Sequence, residues 1–327
     1  MQISVTIVGC HSMDVVFLDQ NKWIELARVE AGKITSVALV ELYSQLSAAV
    51  EQRRVIFPLT ASHILETSKR NDPRSRGLVA QTQAKLSRGY VYRSRAGRLL
   101  VEMQLALLRL FGEQPPAMPV NWAIAPGFLQ AFEPMDEMVV SPSDAERIRR
   151  LNDHIDPRIQ YVDYMQNQDD SRRRASHAGF AADVAELVAR IEARRSLLTG
   201  DSVDLRRRAY CAGLFLDHQD DVIKVLHTLG HTIEQMRALG PEAVANFVED
   251  VPTLKVESEM AARLEVSTGN IEPNDVLDMQ SFYTAIPYSR RLVAEKEFVS
   301  LAKQAKLDAR YQTVLSRSLA DLLGVYK

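Results

Sequence analysis

Residues Asp14–Asp19 read DVVFLD, a short run of β-branched and aromatic residues that ends in an acid. Gln20-Asn21 break the run, so the pattern predicts a buried strand with Asp19 at its carboxyl end. The following NKWIELARVEAG puts Trp23, Leu26 and Ala27 at helical spacing, with Gly32 as the stop. A longer amphipathic helix is expected over Thr35–Gln52, with Val40, Leu42, Tyr43 and Leu46 in its apolar stripe. A second strand, VIFPLT at Val55–Thr60, leads into a helix carrying Ile64, Leu65 and Glu66. Strands alternating with helices imply crossover connections and a mostly parallel sheet, which places the chain in the α/β class.

The pattern changes after about Ala96, where helical periodicity and breakers continue to Glu249 without a convincing strand. LLVEMQLALLRLFG at Leu99–Gly112 is a strong helix, and the six prolines between Pro115 and Pro142 suggest a loop-rich wrap. Helices are expected again near Ser143–Asn152, Ser171–Leu198, Asp201–Leu216, Asp220–Leu239 and Pro241–Val248. The α/β pattern then returns: a helix DVLDMQSFYTAI stopped by Pro287, a strand RLVAEK at Arg291–Lys296, a helix KEFVSLAKQAKL and a strand at Val314–Ser316. The expected organisation is an extension at 1–13, a core in two parts at 14–95 and 255–327, and a helical insertion at 96–254. Met13 suits a start as well as Met1, since it would put the first strand at the N-terminus.

With 327 residues, 46% hydrophobic and 25% charged, the composition is that of a folded chain with a substantial core. Cys10 and Cys211 form neither a disulfide framework nor a metal-ligand spacing, which fits a reducing cytoplasm. No apolar run approaches the length of a membrane span, and MQISVTIVGCHSM lacks the basic and apolar regions of a signal peptide.

In an open parallel sheet, ligands bind beyond the carboxyl ends of the strands. Asp19 and Glu295 both stand at such ends, Glu66 lies in the helix after another, and Asp275 and Asp278 are three apart on one helix face. Carboxylates that converge without matching cations repel one another, so such a cluster points to a hard divalent cation or to protonation. Mg²⁺ and Mn²⁺ suit oxygen donors of this kind, and could activate water against a phosphodiester. Each acid also has a plainer reading. Asp19 or Asp275 could cap a helix, Glu66 could pair with Arg70 at i+4, and Glu295 could pair with Arg290 or Arg291.

The same residues carry a resemblance. FLDQNKWIELA (Phe17–Ala27), PLTASHILETSKR (Pro58–Arg70) and NDVLDMQSFYTAIPYSRRLVAEKEFVSLAK (Asn274–Lys303) resemble the three acidic elements of the PIN-domain superfamily, particularly PIN-like nucleases of bacterial toxin and defence systems. The likeness covers the two ends of the chain and leaves the helical middle unmatched. It implies a PIN-like parallel-sheet core and a metal-dependent nuclease, usually acting on RNA, with Mg²⁺ or Mn²⁺ held by acids. By position, Asp19 would be the first acid, Glu66 the second, Asp278 or Asp275 the third and Glu295 the fourth, with Asn21 orienting the first. One departure stands out: relatives often place an aspartate shortly after the Pro-Tyr pair, where this chain has Ser289 and Arg290. A catalytically degraded scaffold, binding a protein partner through the insertion, is the alternative that this departure favours. A phosphatase of the haloacid dehalogenase type would need an acid where Asn21 stands, and no P-loop is present.

The formal net charge of −2 hides its distribution. Lys69, Arg70, Arg74, Arg76, Lys85, Arg88, Arg93, Arg95 and Arg98 face only Asp72 between Ser68 and Arg98. With Tyr90 and Tyr92 interleaved for base stacking, this segment is expected to bind nucleic acid beside the acidic site. Shorter basic clusters at Arg147–Arg150, Arg172–Arg174 and Arg206–Arg208 read as solvated faces, and His227 and His231 as an ordinary helical pair. Trp122 and Met118 are expected to pack on the core. The sequence leaves the insertion's partner and self-association open.

Overall fold

The computed structural model describes residues 13–133, 156–167, 169–198, 200–267 and 269–327, together with Glu146 and Arg150. The expected extension up to residue 12, the helix at Ser143–Asn152, and most of the Arg147–Arg150 cluster lie outside the described residues.

The chain is α/β, with four parallel strands in the order β2-β1-β5-β6. These are β1 (Asp14–Leu18), β2 (Val55–Ile56), β5 (Arg291–Val293) and β6 (Val314–Ser316). β1 pairs with β2 through Asp14 and Val15, and with β5 through Val16, Phe17 and Leu18. The apolar run around β1 is explained by burial on both faces. Val15 and Phe17 point into one core, while Val16 and Leu18 point into the other. Ile56 and Leu292 join the first pair; Val55 and Val293 join the second.

The second core is closed by α1 (Gln20–Glu30), α2 (Val37–Glu51), α3 (Ala61–Ser68) and α4 (Pro73–Ser87), through Trp23, Leu42, Leu46 and Ile64 among others. The chain then forms a strand the sequence did not announce. β3 (Tyr90–Tyr92) pairs antiparallel with β4 (Ile124–Pro126), which a 3-10 turn at Phe128–Ala131 follows, so the proline-rich wrap contains regular structure. Leu59 extends the line of β2 and bridges to Val91, joining this ribbon to the sheet edge. Three residues are too short for periodicity to register as a strand. The preceding Gly89 has φ +76, and a Cβ there would come within 2.5 Å of Pro157. Glycine is therefore required where the helix that begins at Pro157 crosses the turn.

The helical middle comprises α5 (Arg95–Leu110), α6 (Pro157–Asn167), α7 (Asp170–Leu197), α8 (Val203–Asp217), α9 (Gln219–Leu229), α10 (Ile233–Ala238) and α11 (Pro241–Asp250). It leads into α12 (Pro252–Leu264) and α13 (Pro273–Ala285), and the fold closes with α14 (Lys296–Gln304) and α15 (Leu307–Tyr311). Leu99, Met103, Val184, Tyr210, Val222 and Phe247 of this block share one buried core with Val15 and Phe17 of the sheet. The middle thus covers a face of the sheet.

Two basic clusters read as solvated differ from expectation. Arg206 is buried and pairs with the buried Glu265 at 3.6 Å, and Arg207 reaches Asp204, Glu249 and Glu259. Arg173 is buried and donates to the Ser68 carbonyl at 2.9 Å. A carboxylate or carbonyl supplied from distant sequence makes these buried arginines tolerable, and local charge counting cannot see it.

Candidate active site

The strand order places the crevice. From β1 the chain runs to β2 on one side, then returns through the helical middle to β5 on the other side. The carboxyl ends of β1 and β5 therefore flank the topological switch point. Asp19 follows β1 and Glu295 follows β5 by two residues. The Asp19 backbone N–H donates to the Val293 carbonyl at 2.9 Å, which ties the two ends together.

Both acids begin helices, since Asp19 is the N-cap of α1 and Glu295 the N-cap of α14. The capping reading of Asp19 is met in a weak form: Oδ1 accepts only from the adjacent Gln20 N–H, at 2.7 Å. Glu66 comes from α3 and Asp278 from α13, and the two helices cross where Ser62 and Ser281 hydroxyls meet at 3.0 Å. Asp19, Glu66, Asp275, Asp278 and Glu295 line one cleft of about 340 Å³, together with Glu272. No lysine, arginine or histidine is among the described residues lining it.

The electrostatic consequence is direct. Burial, with Glu295 nearby, raises Asp19 to about 6. Burial and then Asp19 raise Glu66 to about 7, against the opposing pull of Lys69 and Arg70. Asp278 rises furthest, to about 8, through burial followed by repulsion from Asp19, Glu66, Glu295 and Asp275. These are the shifts expected where like charges share a half-buried space.

The remaining site residues take distinct places. Asp275 Oδ2 accepts from the Glu272 N–H at 2.8 Å, so it serves the start of α13. Asn21 does not orient Asp19: its side-chain amide donates to Glu295 Oε1 at 2.6 Å. Glu295 is thereby held by Asn21 rather than by Arg290 or Arg291. Ser289 stands at the other end of β5, buried, with its hydroxyl 2.7 Å from that of Tyr92.

Behind the cleft lies a polar network that local sequence reading missed. Gln20 donates to Thr67 at 3.1 Å, Thr67 donates to Gln83 Oε1 at 3.1 Å, and Tyr161 donates to the same oxygen at 2.6 Å. Gln20 adjoins Asp19 and Thr67 adjoins Glu66, so the network anchors the backbone of two acids. Adjacency to those acids was the available signal for Gln20 and Thr67. Gln83 and Tyr161 carried none.

The basic segment is not one surface. Tyr92 and Arg76 are buried and engaged within the protein, so neither belongs to an exposed binding surface. Tyr92 fills the core, and Arg76 donates to the carbonyls of Met165 at 2.7 Å and Arg70 at 2.6 Å. Lys85 meets Glu30 and Tyr43, while Arg88 donates to the Val50 carbonyl, both beside α2. Lys69 and Arg74 are exposed, and Arg70 and Tyr90 are partly so. Arg93 donates to the Trp122 carbonyl and Arg95 pairs with Glu257 at 2.6 Å. Alternation along β3 and helical rotation along α4 send neighbours in sequence to opposite faces.

His227 and His231 are not a helical pair: α9 ends at Leu229 with Gly230 in the left-handed conformation, and His231 beyond it stacks on Phe111 and bonds Glu113 at 2.6 Å. Among the described residues, no three His, Cys, Asp or Glu side chains stand close enough together to hold a metal ion as they are arranged. The donor chemistry of the cleft nevertheless suits a hard cation: all of its ionisable groups are carboxyls, and three have pKa values raised by burial and mutual repulsion. No protein-family model, curated protein or solved structure matches the chain.

Proposed function

We propose that this chain is a PIN-like, divalent-metal-dependent nuclease that hydrolyses phosphodiester bonds, an endoribonuclease of the toxin or defence type. The observation that carries the reading is the convergence of Asp19, Glu66, Asp278 and Glu295 at the switch point, from four separated segments, in a cleft with no cationic side chain among its described lining residues. Like charges gathered at a ligand-binding crevice raise the free energy of the metal-free site, and a cation would relieve it.

Asp19, Glu66, Asp278 and Glu295 would hold Mg²⁺ or Mn²⁺, with Asp275 next to them at the start of its helix. When bound, such an ion supplies Lewis acidity, acidifying a water and offsetting phosphate charge. The chain's own contribution is placement. Asn21 holds Glu295, the Asp19–Val293 backbone bond sets the two strand ends together, and the Gln20–Thr67–Gln83 network ties the start of α1, beside Asp19, to the last turn of α3, which carries Glu66.

Cleavage of single-stranded RNA with Mn²⁺ or Mg²⁺ tests this. Asp19→Asn is expected to lower the rate at least about a hundredfold, in line with the loss of a metal-binding or charge-stabilising group. Unchanged cleavage by that variant overturns the assignment. The looseness of the carboxyl cluster favours a second reading, a PIN-like scaffold that binds a protein partner through its helical middle. Absence of both cleavage and thermal stabilisation by Mn²⁺ would select it.

A further inference from the structure

A second cavity, of about 280 Å³, lies along the same two helices as the acidic cleft. Ser62 and Leu65 of α3 line it where Glu66 lines the cleft, and Gln280 and Tyr283 of α13 line it where Asp275 and Asp278 line the cleft. Its charge is opposite. Arg93, Arg95 and Arg98 line it, and no carboxylate is among its described lining residues.

Arg98 is the decisive group. It is 1% exposed, its Nη2 donates to Thr284 at 3.1 Å, its Nη1 donates to the Arg93 carbonyl, and its Nε has no partner. Glu102, one turn along, is the acid that faces it, but Glu102 already accepts from Thr253 at 2.7 and 2.8 Å and from the Tyr288 hydroxyl. A buried guanidinium with an unused donor is costly unless an anion completes it. The cavity also receives the first turn of α5, a helix of 16 residues capped by Ser94, whose N-terminal dipole favours a negative ligand. Phe132, one of the chain's exposed large apolar side chains, and Phe180 line the same space and offer rings to a base.

We propose that this cavity binds the phosphate of a nucleotide, with Arg98 and the start of α5 on the phosphate and Phe132 and Phe180 beside the base. Two sources share that chemistry: a nucleotide within the substrate strand, and a free nucleoside monophosphate. The strand assignment rests on the nuclease reading, and it puts a phosphate site next to the metal cleft on shared helices. The free-nucleotide assignment does not depend on it.

The experiment measures binding in EDTA, where cleavage plays no part. A fluorescein-labelled ten-nucleotide single-stranded RNA and free AMP are titrated into the whole protein and into Arg98→Lys, Arg98→Gln and Phe132→Ala. Binding of either probe is expected, weakened about tenfold or more by each variant. The RNA affinity of Arg98→Gln, which removes the charge as well as the guanidinium, should also depend less steeply on salt, by about one unit in the log–log slope, because one cationic phosphate contact is lost. A merely structural role for Arg98 would leave that slope unchanged. Phe132 is on the surface, so its variant tests the site even if the Arg98 variants fail to fold. RNA binding alone assigns the strand, and AMP binding assigns the free nucleotide as well. Binding of neither probe, or Phe132→Ala binding both as tightly as the parent, overturns the proposal. Cleavage with Mn²⁺ is scored separately: a protein that binds AMP but does not cleave keeps this site and loses the nuclease reading.

Discussion

Ser289 occupies the place where the resemblance leads one to expect an acid, and its surroundings explain why an acid there would serve no metal. It sits at the amino end of β5, hydrogen-bonded to the buried Tyr92, while the cleft lies beyond the carboxyl end of the strand at Glu295. Ser289→Asp would put a carboxyl into a 5% exposed position beside a phenol, in a space that holds a hydroxyl. Burial without full compensation costs about 1–3 kcal/mol or more. The expected result is a protein that melts several degrees lower and cleaves no faster; a gain in cleavage would show that the amino end of β5 takes part. Strand-end position made Asp19 and Glu295 legible in the sequence. The partner of Asn21 was not, because its bond to Glu295 joins residues 274 apart.

At the scale of elements, the helices bearing the acids are held together from behind. Gln83 of α4 accepts from Thr67 of α3 and from Tyr161 of α6, and its amide lies 3.4 Å from Gln20 of α1. Amphipathic spacing predicted α1 and α2 to within a few residues, and a helix through Ile64 and Glu66 where α3 stands, since each buries one stripe against the sheet. It could not predict that Gln83, fully buried, is polar for a reason that lies 78 residues away in Tyr161. Gln83→Leu keeps the volume and removes both the acceptor and the donor, leaving Thr67, Gln20 and the Tyr161 hydroxyl short of partners. The expected loss is about 1–3 kcal/mol of stability. Mn²⁺ stabilisation should also shrink, because the start of α1 and the last turn of α3 lose their common tether. A variant with lower stability but the parent's full Mn²⁺ shift would show that the network supports the fold without setting the cleft.

At the scale of the whole molecule, the two ends of the chain build the sheet and the helical middle closes one of its faces. The split was readable because β-type runs occur only near the ends, apart from the short ribbon of β3 and β4. The sharing of a core was not, since contacts such as Phe17 and Val15 with the cluster of Tyr210 and Leu226 leave no mark in local periodicity. The cleft then sets the pH response of the assembled protein. Asp19, Glu66 and Asp278 have folded values of about 6, 7 and 8, above their ordinary 3.8, 4.5 and 3.8. A carboxyl raised on folding contributes stability that is complete below its unfolded value and is lost as pH rises through its folded value. The metal-free protein should therefore weaken as pH climbs from about 4 through 8. His63, lowered to about 3 by burial, acts oppositely, but its stability is lost only as pH falls below 6.5. The range above 6.5 thus leaves out His63, and Asp278→Asn separates the cleft from Glu102 and Glu265, buried carboxyls elsewhere that are also raised. Melting in EDTA at pH 6.5 and 8.5 is expected to show a lower Tm at the higher pH by about 5 °C, at about 2–4 °C for each kcal/mol in a chain of this order of size. Asp278→Asn should remove most of that fall. Added Mn²⁺ should reverse it, since the cation competes with protons for the same oxygens and binds more tightly as they leave. A Tm that is independent of pH in EDTA, or unmoved by Mn²⁺ at pH 8.5, would show that these carboxyls neither repel one another nor gather a cation.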